Sequence, residues 1–301
     1  TDSTYRGGRS LQEYRGSDPT CCPARAFPVE TGILGPTPTS GTLREPRPIH
    51  LRMKTLSDSV HVVTGGAGFI GSHIVRALVE RGETVRIVDD FSSGKRENLA
   101  DLAPGSFDLV EADIRNAEDL REPFRGAHYV YHQAALPSVQ QSIADPVSTV
   151  ETNVNGSLNV LLAAREAGVK KVVCASSSAI YGDGPELPKH EGLLPSPLSP
   201  YAMSKASGEM LTSIFAPLYG VEVIGLRYFN VFGPRQDPNS EYAAVVPKFI
   251  TRMIDGSPPV IYGDGEQTRD FIYIDNIVNA NLEAAKSDAR GINVNAACGQ
   301  H

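Results

Sequence analysis

The feature that most constrains this chain is a glycine-spaced turn, Gly65-Gly66-Ala67-Gly68-Phe69-Ile70-Gly71, lying between a β-branched run and an amphipathic segment. Val60-His61-Val62-Val63-Thr64 reads as a buried strand. Ser72 to Arg81 places Ile74, Val75, Leu78 and Val79 on one helical face, and Gly82 stops the helix. Thr84 to Val88 predicts a second strand, which ends in Asp89-Asp90. Glycines at this spacing let a backbone approach a pyrophosphate closely. The following helix N-terminus offers unpaired N–H groups and the positive end of a dipole. Asp89, 18 residues beyond Gly71, can accept hydrogen bonds from ribose hydroxyls and would repel a 2′-phosphate. The spacing therefore predicts NAD, and Asp89 outweighs the nearby Lys95-Arg96 that a 2′-phosphate would favour.

The alternation continues down the chain. Asp108 to Ala112 predicts a strand ending at Asp113-Ile114, and His128 to His132 one ending at Gln133-Ala134-Ala135. Ser157 to Ala167 predicts a helix and Val169 to Ala175 a strand. Strands alternating with helices predict an α/β fold with a doubly wound parallel sheet. Right-handed crossovers then bring Asp113, Ala134 and Ser177 to one sheet edge.

The first 52 residues differ in kind. They hold seven of the 22 prolines, with seven Arg against five acidic residues, and no sustained apolar periodicity. Residues 1–58 read as a disordered N-terminal extension, with Met53 as a candidate natural start. Residues 59–230 read as the NAD-binding domain. The formal net charge of −7 disfavours nucleic acid, whose affinity rests on Lys and Arg. No run of about 18 apolar residues exists, so no transmembrane helix is predicted. The four cysteines form no CxxC pair, which fits unpaired thiols in a reducing cytoplasm, and no cluster has metal-ligand spacing.

The chemistry is expected further on. Ser176-Ser177-Ser178 follows the Val169–Ala175 strand, and Tyr201 and Lys205 share one face of a following helix. An ammonium near a phenol, together with a cationic nicotinamide, lowers the phenol pKa. The phenolate then takes a proton from a sugar hydroxyl while its carbon is oxidised, and a strand-end serine bonds the same oxygen. His73 and His132 read as structural. Tyr262-Gly263-Asp264-Gly265 reads as a turn between two strands.

Residues 60–301 resemble the extended short-chain dehydrogenase/reductase family, in its NAD-dependent nucleotide-sugar epimerase/dehydratase branch. The resemblance is carried by the glycine turn, His132-Gln133-Ala134-Ala135, Asn153-Val154-Asn155-Gly156, and Ser176-Ser177-Ser178-Ala179-Ile180-Tyr181-Gly182. It continues through Ser199-Pro200-Tyr201-Ala202-Met203-Ser204-Lys205, Arg227-Tyr228-Phe229-Asn230-Val231-Phe232-Gly233-Pro234 and Thr268-Arg269-Asp270-Phe271. It is strongest to the UDP-hexose and UDP-N-acetylhexosamine 4-epimerases. It implies that Gly65, Gly68, Phe69, Ile70 and Gly71 hold the pyrophosphate, and Asp89, Asp90 and Gly94 the ribose. Asp113 and Ile114 would flank adenine. Gln133, Ala134, Ala135 and Asn153 would line the cofactor, and Phe229 would pack near the nicotinamide. Tyr201 would be the base and Lys205 its partner. Counting back from Tyr181 favours Ser177 as the catalytic serine, with Ser178 retained as the alternative. Asn230, Ala244, Val245 and Arg269 would grip the UDP-sugar, with Ser177 also meeting it. Residues 231–301 would form a C-terminally incomplete nucleotide-sugar domain, with 291–298 a strand returning to the sheet. A homodimer is implied as well.

Dehydratases of this kind carry an Asp-Glu pair where this chain has Ser178-Ala179. Ala179 has no proton to give, so elimination lacks its acid. The expectation is 4-epimerisation through a 4-keto sugar. Another nucleotide-sugar epimerase or dehydratase, and a non-catalytic NAD-binding protein, remain the alternatives.

Overall fold

The computed structural model describes residues 59–237, 245–261 and 264–299. The readings for 1–58, Ala244 and Tyr262-Gly263 lie outside these residues. The strands are β1 (Val60–Thr64), β2 (Thr84–Asp89), β3 (Asp108–Glu111), β4 (Tyr129–His132), β5 (Lys171–Ser177), β6 (Glu222–Tyr228), β7 (Asn230–Phe232), β8 (Phe271–Tyr273) and β9 (Ile292–Ala296). The helices are α1 (Phe69–Glu80), α2 (Arg121–Phe124), α3 (Val139–Ala144), α4 (Pro146–Val150), α5 (Ser157–Glu166), α6 (Pro200–Tyr219), α7 (Val245–Ile254) and α8 (Ile274–Lys286).

A seven-stranded parallel sheet runs in the order β3-β2-β1-β4-β5-β6-β9, and β7 pairs with β8 in a separate two-stranded sheet. The doubly wound α/β expectation is met. Strand order reverses between β1 and β4, so a crevice opens at their C-terminal ends. The alternation of side chains feeds two cores. Val63, Ile87, Val173 and Ile224 face α1 and α8 through Ile74, Leu78, Ile277 and Leu282. Their neighbours Val62, Val88, Val172 and Val223 face α5 and α6 through Val160, Leu161 and Phe215. Burial on both faces explains why the central strands read as continuous apolar runs.

Several boundaries differ from expectation, each for a local reason. α1 begins at Phe69 rather than Ser72, inside the glycine turn, and the Ser72 hydroxyl donates to the Phe69 carbonyl. β5 starts at Lys171 and runs through Ser177, so Ser176 and Ser177 are strand residues. Lys171 is only 2% exposed. Its ammonium donates to the Ala289 carbonyl at 2.8 Å and to that of Ser287, and lies 3.2 Å from Glu222. The strand expected before the Tyr262 turn is absent: residues 257–261 form none.

Candidate active site

The glycine turn packs backbone on backbone. A Cβ on Gly65 would lie 2.6 Å from the Ala134 nitrogen, and Gly65 has φ +67°, a region that favours glycine. A Cβ on Gly71 would lie 2.0 Å from the Gly65 carbonyl oxygen. The turn delivers the N-terminus of α1 bare. Gly68 is its cap, no side chain bonds the free N–H groups, and no acidic residue lies in the first turn. This cradle fits a pyrophosphate held at the Phe69–Gly71 end of α1.

Asp89 closes β2 beside the turn and is 6% exposed. Its Oδ2 accepts from the Ala67 amide at 2.8 Å and its Oδ1 from the Phe91 amide at 2.9 Å. Burial raises its pKa, and the two amide bonds oppose that. Gly94 is needed because a Cβ there would meet Asp89 Oδ1 at 2.5 Å. Asp89, Asp90, Ile114, Ala134 and Ala135 line a groove with Gly65. Ser92, Ser93, Ala112, Leu136 and Thr152 also line it. None of these carries a sequence signal of its own, although each lies within two residues of one that does. Asp113 does not line the groove. Its carboxylate is held by Arg115 through bonds of 2.8 Å from both the backbone amide and Nε, which keep its pKa below the usual carboxylate value. Asp89→Ala is expected to weaken NAD binding and relax the exclusion of NADP, read as the two dissociation constants. Because Asp89 also ties the turn, the NAD loss should exceed that of a ribose contact alone.

Asn153 and Gln133 sit behind the groove as braces. Asn153 accepts from the Leu136 amide at 2.8 Å and donates to the Leu136 carbonyl and the Ser204 hydroxyl at 3.0 Å. Gln133 donates to Asn281 and accepts from the Tyr228 hydroxyl. His132 is structural. Its Nδ1 lies 2.7 Å from the Thr64 hydroxyl and its Nε2 2.8 Å from that of Ser157, and burial pushes its pKa down to about 3. His73 holds the Pro234 carbonyl at 3.0 Å.

α6 carries Tyr201 and Lys205, the candidate acid/base pair. The Ser199 hydroxyl caps it by accepting from the Ala202 amide, Pro200 opens it, and Tyr201 falls in the first turn. The Ser177 hydroxyl at the end of β5 lies beside the Tyr201 phenol. Ser177 also accepts from the Ala179 amide at 3.1 Å. Ser178 opens the 3-10 turn Ser178–Tyr181, and no contact ties it to Tyr201. Lys205 donates to the Ala175 carbonyl at 2.9 Å and lies 5.9 Å from the Tyr201 ring centre. The phenol departs from expectation: burial raises its pKa, the neighbouring Ser177 hydroxyl opposes this, and Lys205 does not lower it in the protein alone.

Burial pushes the Lys205 ammonium down to about 8. At pH 7 it is charged in both folded and unfolded chains, so its burial costs stability there. Between about 8 and about 10.4 the unfolded chain holds a proton that the folded chain has released, so stability rises with pH. Lys205→Met should therefore melt higher than the parent at pH 7, with the gap closing toward pH 10, while turnover falls. Thermal melts across pH check this.

On the substrate side, Asn230 donates to the Asp270 carbonyl at 3.0 Å, joining β7 to the segment before β8. Phe229 packs against the Tyr181 ring, with centres 6.4 Å apart. Val245 is 41% exposed at the start of α7. Arg269 is exposed and donates to the Thr268 carbonyl. No group of metal-ligating side chains occurs among the described residues.

A parallel sheet reversing at β1/β4, a bare helix N-terminus and a Tyr/Lys helix beside a strand-end serine define a dinucleotide-binding protein with acid/base chemistry at its edge. The chain belongs to the NAD dependent epimerase/dehydratase family, whose model matches residues 61–297. It is 39% identical over 242 residues to UDP-glucose 4-epimerase of Mycolicibacterium smegmatis, covering 79% of this chain and 77% of that one. A structure of UDP-N-acetylglucosamine 4-epimerase from Methanobrevibacter ruminantium, in complex with UDP-N-acetylmuramic acid, superposes with TM-score 0.78. It is 47% identical and covers 81% of this chain and 78% of that chain. Thermus thermophilus UDP-glucose 4-epimerase in complex with NAD gives TM-score 0.73 at 42% identity, covering 80% and 78%. The cofactor is NAD, in line with the expectation from Asp89.

Proposed function

We propose that this chain is an NAD-dependent UDP-sugar 4-epimerase, interconverting UDP-glucose or UDP-N-acetylglucosamine with the galacto epimer through a 4-keto sugar. One observation carries the reading: Ser177 at the strand end is the hydroxyl set beside the Tyr201 phenol, and Ser178-Ala179 follow it where elimination would need an acid. That arrangement serves reversible oxidation at one carbon and supplies no acid to expel a second hydroxyl. Tyr201 takes the proton of the sugar 4-hydroxyl and later returns it. Ser177 holds the same oxygen and orients it. Lys205, fixed on the Ala175 carbonyl, keeps a positive charge below the phenol. Bound NAD supplies the two-electron chemistry, and the bare end of α1 holds its phosphates. Asn230, Val245 and Arg269 are the residues assigned to the UDP-sugar, and Ala244 lies outside the described residues.

The reading includes a homodimer. α3, α4 and α6 leave Ile143, Val147, Met210 and Leu218 each more than half exposed, at 58%, 64%, 66% and 65%. Exposed apolar side chains of this kind support association with a second copy, and sedimentation velocity reads it.

The test is incubation with UDP-galactose and UDP-N-acetylgalactosamine, resolving the nucleotide sugars by chromatography. Gluco epimers at equilibrium support the proposal. Accumulation of a 4-keto-6-deoxy product, or no turnover by NAD-loaded protein, overturns it.

A further inference from the structure

Glu209 and Arg227 form a buried ion pair that the chemistry above does not use; each residue is 6% exposed. Glu209 lies four residues beyond Lys205 and eight beyond Tyr201, on the same stripe of α6. Its carboxylate accepts from Arg227 Nε at 2.9 Å and Nη2 at 2.8 Å, and from the Ser176 hydroxyl at 2.5 Å. Ser176 is the neighbour of Ser177. Arg227 Nη1 donates to the Tyr181 hydroxyl at 2.8 Å, which in turn donates to Asn295 on β9 at 2.7 Å. Tyr181 ends the 3-10 turn that begins one residue after Ser177. One buried charge pair thus joins α6, β5, β6, β9 and the turn.

Tyr201 and Ser177 come from different elements, so their separation depends on what ties those elements together. The Glu209–Arg227–Tyr181 chain grips α6 at Glu209, β5 at Ser176 just before Ser177, and the following turn at Tyr181. A buried ion pair is a weak source of net stability, whereas small misplacements in a reacting pair are costly in rate. We infer that Glu209, Arg227 and Tyr181 are positioning residues that hold the Ser177 hydroxyl in register with the Tyr201 phenol. This rests on the assignment of Ser177 and Tyr201 as the acid/base pair.

Glu209→Gln would leave the Arg227 charge buried without its counter-ion and endanger folding. The test therefore uses Tyr181→Phe, which removes one hydroxyl and no charge, in the parent chain and in Ser177→Ala. Four quantities are read on NAD-loaded protein: kcat, KM for the UDP-sugar, NAD affinity and melting temperature. Tyr181→Phe is expected to lower kcat by about tenfold, with KM and NAD affinity within about twofold. In Ser177→Ala, the same change should cost almost nothing further, because the group it positions is gone. An equal loss in both backgrounds, a normal kcat with a lowered melting temperature, or a failure to fold would each overturn the inference. If Ser177→Ala alone leaves kcat intact, the assignment of the serine has failed, and the inference falls with it in a recognisably different way.

Discussion

Tyr201→Phe is expected to lower turnover by about 10²–10⁴-fold, the usual contribution of a positioned acid/base group. NAD affinity and the fold should persist. The substitution deletes one oxygen and keeps the ring. The α6 cap, made by Ser199 and Pro200, does not involve the phenol. Lys205 keeps its bond to the Ala175 carbonyl, and the glycine turn lies on another element. What disappears is the atom that exchanges a proton with the sugar, along with its interaction with the Ser177 hydroxyl. Because the phenolate is the base, the parent should lose activity as pH falls, and the variant's residual rate should lack that acid limb. Single-turnover rates, with NAD affinity measured separately, check this. Turnover within about twofold of the parent would remove Tyr201 from the chemistry.

Most of the fold was legible because a sheet buried on both faces writes itself as apolar runs at fixed spacing. The misread boundaries share a cause: the satisfying partner lies far away in sequence. β5 extends into Ser176 because Glu209, 33 residues on, takes the Ser176 hydroxyl. It begins with a buried lysine because carbonyls more than a hundred residues away accept from the ammonium. The apolar face Ile74, Val75, Leu78 and Val79 marks a helix only from Ser72, because the cap that starts α1 earlier, Gly68, contributes no side chain. That missing cap is the functional signal, since it leaves the N–H groups for a ligand. Chemistry and spacing in the sequence bring Tyr201, Lys205 and Asp89 forward as candidates, and the structure sets them on α6 and at the end of β2. The sequence carries no sign that Arg115 takes the Asp113 side chain, or that Glu209 pairs with Arg227, which needs the sheet to exist first.

Gly71→Ala should abolish most NAD binding, with a loss of at least about 100-fold in affinity, or about 3 kcal/mol. The added Cβ would sit 2.0 Å from the Gly65 carbonyl oxygen and 2.8 Å from the Gly66 Cα. Both are backbone atoms, so no flexible side chain can yield. Gly65 cannot retreat, because it packs against the Ala134 backbone and its amide is bonded to the Val88 carbonyl at 2.7 Å. α1 must therefore lift at its N-terminus, and the N–H groups aimed at the phosphates move with it. The helix itself should survive, because Ile74, Val75 and Leu78 remain anchored in the core. Gly208→Ala is the control. Gly208 lies inside α6, and a Cβ there meets nothing within 4 Å. A glycine-to-alanine change in an unobstructed helix interior typically adds about 0.5–1 kcal/mol of stability. The same substitution should thus raise the melting temperature at 208 without touching NAD affinity, and destroy NAD affinity at 71. Equal NAD affinity in the two variants would mean that the close approach at Gly71 is not what shapes the cofactor cradle.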